Sequence, residues 1–121
     1  MQVDSLNLTK GKMGENAACA YLKQHGYKII ERNFRVRIGE IDIIAQKDDI
    51  LHFFEVKTRF GSKFGGPFAA LNFRKKAKIR KTAQWYLAQN KNLNTPCLFG
   101  AIGVDISQTP PSVECLVDAF D

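Results

Sequence analysis

The chain predicts an α/β sandwich: a mixed β-sheet flanked by helices, in the order α-β-β-β-α-β. Three observations carry this expectation. Helical patterns occupy the N-terminal stretch and the stretch after Pro67. Between them lie three short runs rich in β-branched and aromatic residues, and another such run follows the second helix. The two central runs are apolar on both faces, which calls for cover on both sides of the sheet. With 121 residues, the chain fits one domain spanning 1–121 and can bury roughly two-thirds of its unfolded surface.

The elements follow in order. Thr9 to His25 reads as the first helix: Thr9 suits the N-cap, Ala17, Ala18, Cys19, Ala20, Tyr21 and Leu22 form an apolar side, and Gly26 suits the stop. Residues 28–37 (KIIERNFRVR) read as a strand of mixed alternation. Gly39 interrupts the chain before a second strand, Glu40 to Gln46. Lys47 to Ile50 makes a tight polar turn, and Leu51 to Thr58 is a third strand. Residues 60–67 (FGSKFGGP) form a glycine-rich loop. From Pro67 to about Gln89 the pattern is helical, with Leu71, Ile79, Ala83, Tyr86 and Leu87 near one face and the basic residues largely opposite. Cys97 to Ile106 is a buried strand, and Val113 to Val117 suits a further edge strand.

Composition bounds the function. No apolar run approaches the roughly 20 residues that cross a bilayer, and Met1 to Lys12 lacks the pattern of a secretory signal. The expected location is the cytoplasm. Cys19, Cys97 and Cys115 are far apart, and neither His25 nor His52 stands at a zinc-ligand spacing. Reduced cysteines acting as small core hydrophobes are the simpler reading. Net charge is +6, and Arg74, Lys75, Lys76, Lys78, Arg80 and Lys81 together account for all of it. Such a local field suits a polyanion, nucleic acid above all; it is also what a solvated helix face looks like.

The chemistry lies in the central hairpin. A turn at Asp48-Asp49, or at the four residues Lys47 to Ile50, gives one register, in which paired residue numbers sum to 97. Asp42 then falls opposite Glu55, and Glu40 opposite Lys57. Opposed side chains have Cβ atoms about 4.5–5.5 Å apart, so two carboxylates there repel unless a cation intervenes. Lys57, two residues from Glu55 on one face, is one candidate. Magnesium is the other: it takes hard oxygen ligands, commonly one or two carboxylates with water and phosphate. Asp42 and Glu55 would supply carboxylates, the backbone carbonyl of Val56 a third oxygen, and Lys57 would touch the attacking water or the phosphate. A half-buried ionic network that only braces the hairpin is the competing reading. Glu15, on the first helix beside Gly14, either points partly toward the sheet or stays exposed. Arg35, Arg37 and Arg59 flank the strands and could hold phosphate.

These residues resemble a known family. Gly14-Glu15, Asn33-Phe34-Arg35, the run GEIDIIA from Gly39 to Ala45 and the run FEVKTR from Phe54 to Arg59 are similar to the YraN-like family. That family resembles a branch of the PD-(D/E)xK nuclease superfamily, and the likeness runs from Gly11 to Phe120. It implies a restriction-endonuclease-like core and a magnesium-dependent endonuclease, with manganese as a substitute. By the same resemblance Asp42 and Glu55 are metal ligands, Lys57 is the catalytic lysine and Glu15 assists the metal site. The role of Glu40 stays open. The helix carrying Arg74, Lys75, Lys76, Lys78 and Arg80, with Arg35 and Arg59, would bind nucleic acid, DNA in preference to RNA. Resolvase-like relatives leave room for a homodimer, although no coiled-coil seam or sticky strand here supports one. One departure stands out: Leu98-Phe99-Gly100 occupies the place where the resemblance leads one to expect Arg-Phe-Asp. A binding module with little turnover, and a protein-interaction role for the basic helix, are the alternatives.

Overall fold

The computed structural model describes residues 2–61, 73–91 and 94–120. Helix α1 (Gln2–Gln24) is followed by strands β1 (Lys28–Val36), β2 (Gly39–Lys47) and β3 (Ile50–Arg59), helix α2 (Phe73–Gln89), and strands β4 (Cys97–Asp105) and β5 (Ser112–Phe120). The strands form one sheet in the order β1-β2-β3-β4-β5. All neighbours are antiparallel except β3 and β4, which run parallel because α2 carries the chain back between them. Among the described residues no helix is long and apolar enough to cross a membrane. Leu71 and most of the glycine-rich loop lie outside the described residues.

Helix α1 begins earlier than its capping signal implies. No glycine or proline precedes Gly11, and the helix runs back through Thr9, which lies inside it rather than at its start. A threonine only offers a cap; it does not stop a helix that its neighbours can extend. The far end stops where expected. Gly26 has φ 87°, the amide of Gly26 donates to the Lys23 carbonyl at 3.2 Å, and that of Tyr27 donates to Leu22 at 2.9 Å. This is the paired bond pattern of a glycine-terminated helix.

Two apolar layers hold the helices to opposite faces of the sheet. On the α2 side Phe34, Ile41, Ile44, Leu51 and Phe53 pack against Ile79, Ala83, Tyr86 and Leu87. On the α1 side Ala18, Cys19 and Leu22 pack against Ile43, Ala45, Phe54, Ile102 and Val104. Cover on both faces is therefore as the strand composition predicts. The β2–β3 turn is the two-residue form: Lys47 pairs with Ile50, and Asp48 and Asp49 both take the left-handed region, φ 54° and 64°. That conformation matches the twist of the strands it joins, and the ladder from Lys47↔Ile50 to Ile43↔Phe54 keeps the expected register.

Two glycines fix close approaches. A Cβ on Gly100 would come within 2.7 Å of the Phe54 ring and of the Leu116 carbonyl oxygen. This is a physical reason for the departure at Leu98-Phe99-Gly100: position 100 has no room for an aspartate beside Phe54. A Cβ on Gly14 would overlap the Thr58 side chain of β3, so α1 lies at backbone distance from the strand that carries Glu55 and Lys57. We expect Gly14→Ala to destabilise the fold by about 1–3 kcal/mol in chemical denaturation, despite alanine's better helix propensity. Thr58→Ala in the same chain should recover part of that loss. Additive effects of the two changes would mean that the helix and strand do not meet there.

Candidate functional site

Besides register shifts at Ile29–Glu31 on β1 and Phe99–Ala101 on β4, the pleat also breaks between β1 and β2. On β1, Arg32 points to the α1 side, where it meets Glu15, while Phe34 belongs to the α2-side core. On β2, Ile43 faces α1 and Ile41 faces α2. Strict alternation would put both members of each pair on the same face. The break falls at Asn33 and Asp42, which would pair between the rungs Arg32↔Ile43 and Phe34↔Ile41. Asn33 has φ 54°, a left-handed conformation that asparagine tolerates better than most residues. The β2–β3 ladder likewise ends at Ile43↔Phe54.

This break aims Asp42. Its Oδ2 accepts a hydrogen bond from the backbone amide of Val56 at 2.7 Å, so the carboxylate reaches across to β3 where the two strands part. Asp42 and Glu55 line one cavity of about 230 Å³ together with Gly39, Glu40, Lys75, Lys78 and Ile79. The expected carboxylate pair is thus formed, but through a splayed strand rather than a directly opposed rung. Burial, and next the neighbouring Glu55 charge, push the Asp42 carboxyl up to about 7; the Val56 amide opposes this, and Glu40 and Glu15 add smaller repulsions.

The cation beside the pair is not the one expected from the strand alone. Lys75 Nζ of α2 lies 2.7 Å from Glu55 Oε1, whereas Lys57 is exposed and does not line the cavity. Lys75 and Lys78 of the first turns of α2 line the cavity; Arg74 and Lys78 are exposed, and Lys75, Lys76 and Arg80 are half-buried. Glu40 does not meet Lys57. It pairs across β1 with Arg35 at 3.2 Å, because the strands have parted before a Glu40–Lys57 rung could form. Glu15 does point to the sheet: it accepts from Asn33 Nδ2 at 3.0 Å and from Arg32 Nη2 at 3.3 Å. Arg32 also donates to Asn16 at 2.8 Å. Arg59 stands by Asp105, whose carboxyl is held low by the Ser107 hydroxyl, the Gly61 and Ser107 amides and, more weakly, the Arg59 charge.

Sequence reasoning missed Arg32 and the Lys75–Glu55 contact, and it named Asn33 only within the motif Asn33-Phe34-Arg35, without a role. Only Asn33 left a trace, as a residue tolerant of positive φ within a strand. Among the described residues no three His, Cys, Asp or Glu side chains gather as a ready-made metal cage. Asp42 and Glu55 offer oxygen donors alone, a set suited to a hard cation that keeps several waters.

The buried Asp42 charge has a consequence for stability. Its carboxyl lies near 7 in the folded chain against an ordinary 3.8, so folding favours the protonated form. The ionised form costs stability in full above pH 7; the cost shrinks as pH falls toward 4 and vanishes below it. Asp42→Asn keeps an acceptor for Val56 and removes the charge. We expect it to stabilise the chain in EDTA at pH 8 by a few kcal/mol, at about 1.4 kcal/mol per pKa unit, and by little at pH 4. Urea denaturation at the two pH values measures this, and equal effects at both would contradict a buried charge.

Comparison with known proteins places the chain in a family. The sequence model of "Uncharacterised protein family UPF0102" matches residues 14–104, a span that holds Glu15, Asp42, Glu55 and Lys57. A UPF0102 protein of Clostridium acetobutylicum is 43% identical over 109 residues, covering 90% of this chain and 89% of the relative. One of Clostridium kluyveri is 39% identical over 118 residues, covering 96% and 97%. One of Geobacter metallireducens is 40% identical over 115 residues, covering 95% and 94%. With this coverage, and with two helices around a five-stranded mixed sheet of the restriction-endonuclease-like kind among the described residues, the chain belongs to the uncharacterised family UPF0102, the YraN-like group.

Proposed function

We propose that this protein is a metal-dependent nuclease that hydrolyses phosphodiester bonds of nucleic acid, DNA in preference to RNA, at the cavity between β2, β3 and α2. One observation carries the reading: two carboxylates, Asp42 and Glu55, share a partly buried cavity walled on one side by the lysines of α2. A sheet built only for stability gains nothing from such repulsion. The donor chemistry fits magnesium, with manganese as its substitute, held by Asp42, Glu55 and the Val56 carbonyl. When bound, the ion would neutralise charge on the scissile phosphate and acidify a water.

The chain's own groups supply the rest. The Val56 amide keeps one Asp42 oxygen oriented, leaving the other for a ligand. Lys57, exposed on the Glu55 face of β3, can reach a phosphate oxygen or the attacking water. Lys78, with Arg74 and Lys76 before it and Arg80 after it on α2, draws the polyanion to the cavity mouth. Glu15, fixed by Arg32 and Asn33, braces the strand break that aims Asp42. It acts as a positioning residue. Arg35 is engaged by Glu40, so its contact with a phosphate would require that ion pair to open.

A second reading, a binding module with little turnover, is favoured by one feature: the Lys75 ammonium already sits on Glu55, where a metal would compete with it. The two readings separate in a cleavage assay with magnesium or manganese on single-stranded, duplex, flap and four-way-junction DNA and on RNA. Asp42→Ala and Lys57→Ala should each lower cleavage at least 100-fold while keeping the parent's circular dichroism. Cleavage that survives both changes would refute the site assignment; salt-sensitive binding without any cleavage by the parent would leave the binding module. Lys75→Gln should tighten manganese binding several-fold in calorimetry, because it removes the competing charge. Unchanged or weaker binding would mean that Lys75 does not contest the metal position.

A further inference from the structure

Past the carboxylate cavity, α2 continues into a second depression, a groove of about 470 Å³ lined by Ile38, Lys81, Gln84, Trp85 and Ala88. Trp85 is the chain's only tryptophan and is 53% exposed, and Ile38 beside it is 39% exposed. Their placement follows from the packing. Thr82, Ala83, Tyr86 and Leu87 take the buried side of α2, which leaves Lys81, Gln84, Trp85 and Ala88 outward. The β1–β2 turn is drawn onto this helix at Gly39, where a Cβ would lie 2.6 Å from Thr82 Oγ1. That approach sets Ile38 against the indole. The groove adjoins the carboxylate cavity: Gly39 and Lys78 line the cavity, and their neighbours Ile38 and Lys81 line the groove. From Lys75 to Trp85 the helix rises about 15 Å.

We propose that this groove seats an unpaired nucleobase against the Trp85 indole, with the strand's phosphates on Lys78 and Lys81, so that the substrate of the neighbouring cavity carries a single-stranded stretch. The inference rests on the reading of this chain as one that acts on nucleic acid, and it narrows the substrate class. An exposed aromatic face beside lysines is how proteins hold single strands, since every base offers a face to stack while the phosphates meet positive charge. In a duplex the base faces are already stacked and give the indole nothing to cover. A second copy of the chain suits the groove less well. A two-fold contact centred here would press one basic helix against another.

The test uses the full chain in EDTA, so that no cleavage is needed and its outcome is independent of the nuclease reading. Trp85 fluorescence is followed during titration with a short oligothymidylate and with a duplex of equal length, and affinities are read by anisotropy of labelled strands. Oligothymidylate should quench Trp85. Trp85→Ala should weaken oligothymidylate binding roughly 5- to 100-fold, the range that base–aromatic stacking gives, with duplex binding little changed and Trp85→Phe retaining most of the affinity. Absence of quenching, or equal loss for single strand and duplex, would overturn the proposal. So would a Trp85→Ala change that alters only the mass in light scattering, which would assign the groove to a second copy.

Discussion

Asp42 and Glu55 hold two like charges in a cavity where water screens them poorly, and much of the surrounding structure serves to keep them there. The Val56 amide answers one oxygen of Asp42, and the Lys75 ammonium answers one of Glu55. The strand break at Asn33 lets Asp42 leave the pleat, and Glu15, Asn16 and Arg32 hold the back of that break. Each contact is local and modest, but together they oppose a repulsion that would otherwise be relieved by turning one carboxylate into solvent. The aromatic cluster of Tyr27, His52 and Phe54 lies on the α1 side of the sheet, the face away from the cavity that α2 walls.

How far the arrangement was legible in the sequence depends on the range of the interactions that decide it. The order of elements and the hairpin register rest on near neighbours. Asp48-Asp49 can form only a tight turn, and the alternation of LHFFEVKT against GEIDIIA does the rest. The carboxylate pair could therefore be named from spacing. The way it is assembled could not, because register reasoning assumes an unbroken pleat and the break at Asn33 and Asp42 is a departure from it. Lys75 was hidden for another reason. A run of lysines shows charge but not which of its members faces inward, and that is settled by how α2 rolls against Ile41 and Ile44. The start of α1 was misjudged because a capping residue signals an option rather than an obligation.

The basic helix shows how one element can serve two surfaces. Its buried residues recur at helical spacing and hold the sheet, while the residues between them pass from the carboxylate cavity at Lys75 to the aromatic groove at Trp85. A single rotation of α2 about its axis would move both surfaces at once. Thr82, buried and donating to the Lys78 carbonyl at 2.8 Å, sits at the contact with Gly39 that sets this rotation.

The contact between Gly14 and Thr58 has a mechanical meaning. Gly14 precedes Glu15, which braces the β1 side of the break, and Thr58 follows Lys57 on β3. Adjacent residues of one helix thus touch β1 through Glu15 and β3 through the Gly14–Thr58 contact, to either side of β2. The placement of those two strands is therefore tied to a helix on the face of the sheet away from the carboxylate cavity. Were an ion held at Asp42 and Glu55, the strands around it would be braced by packing on the far face of the sheet, behind the groups that do the binding.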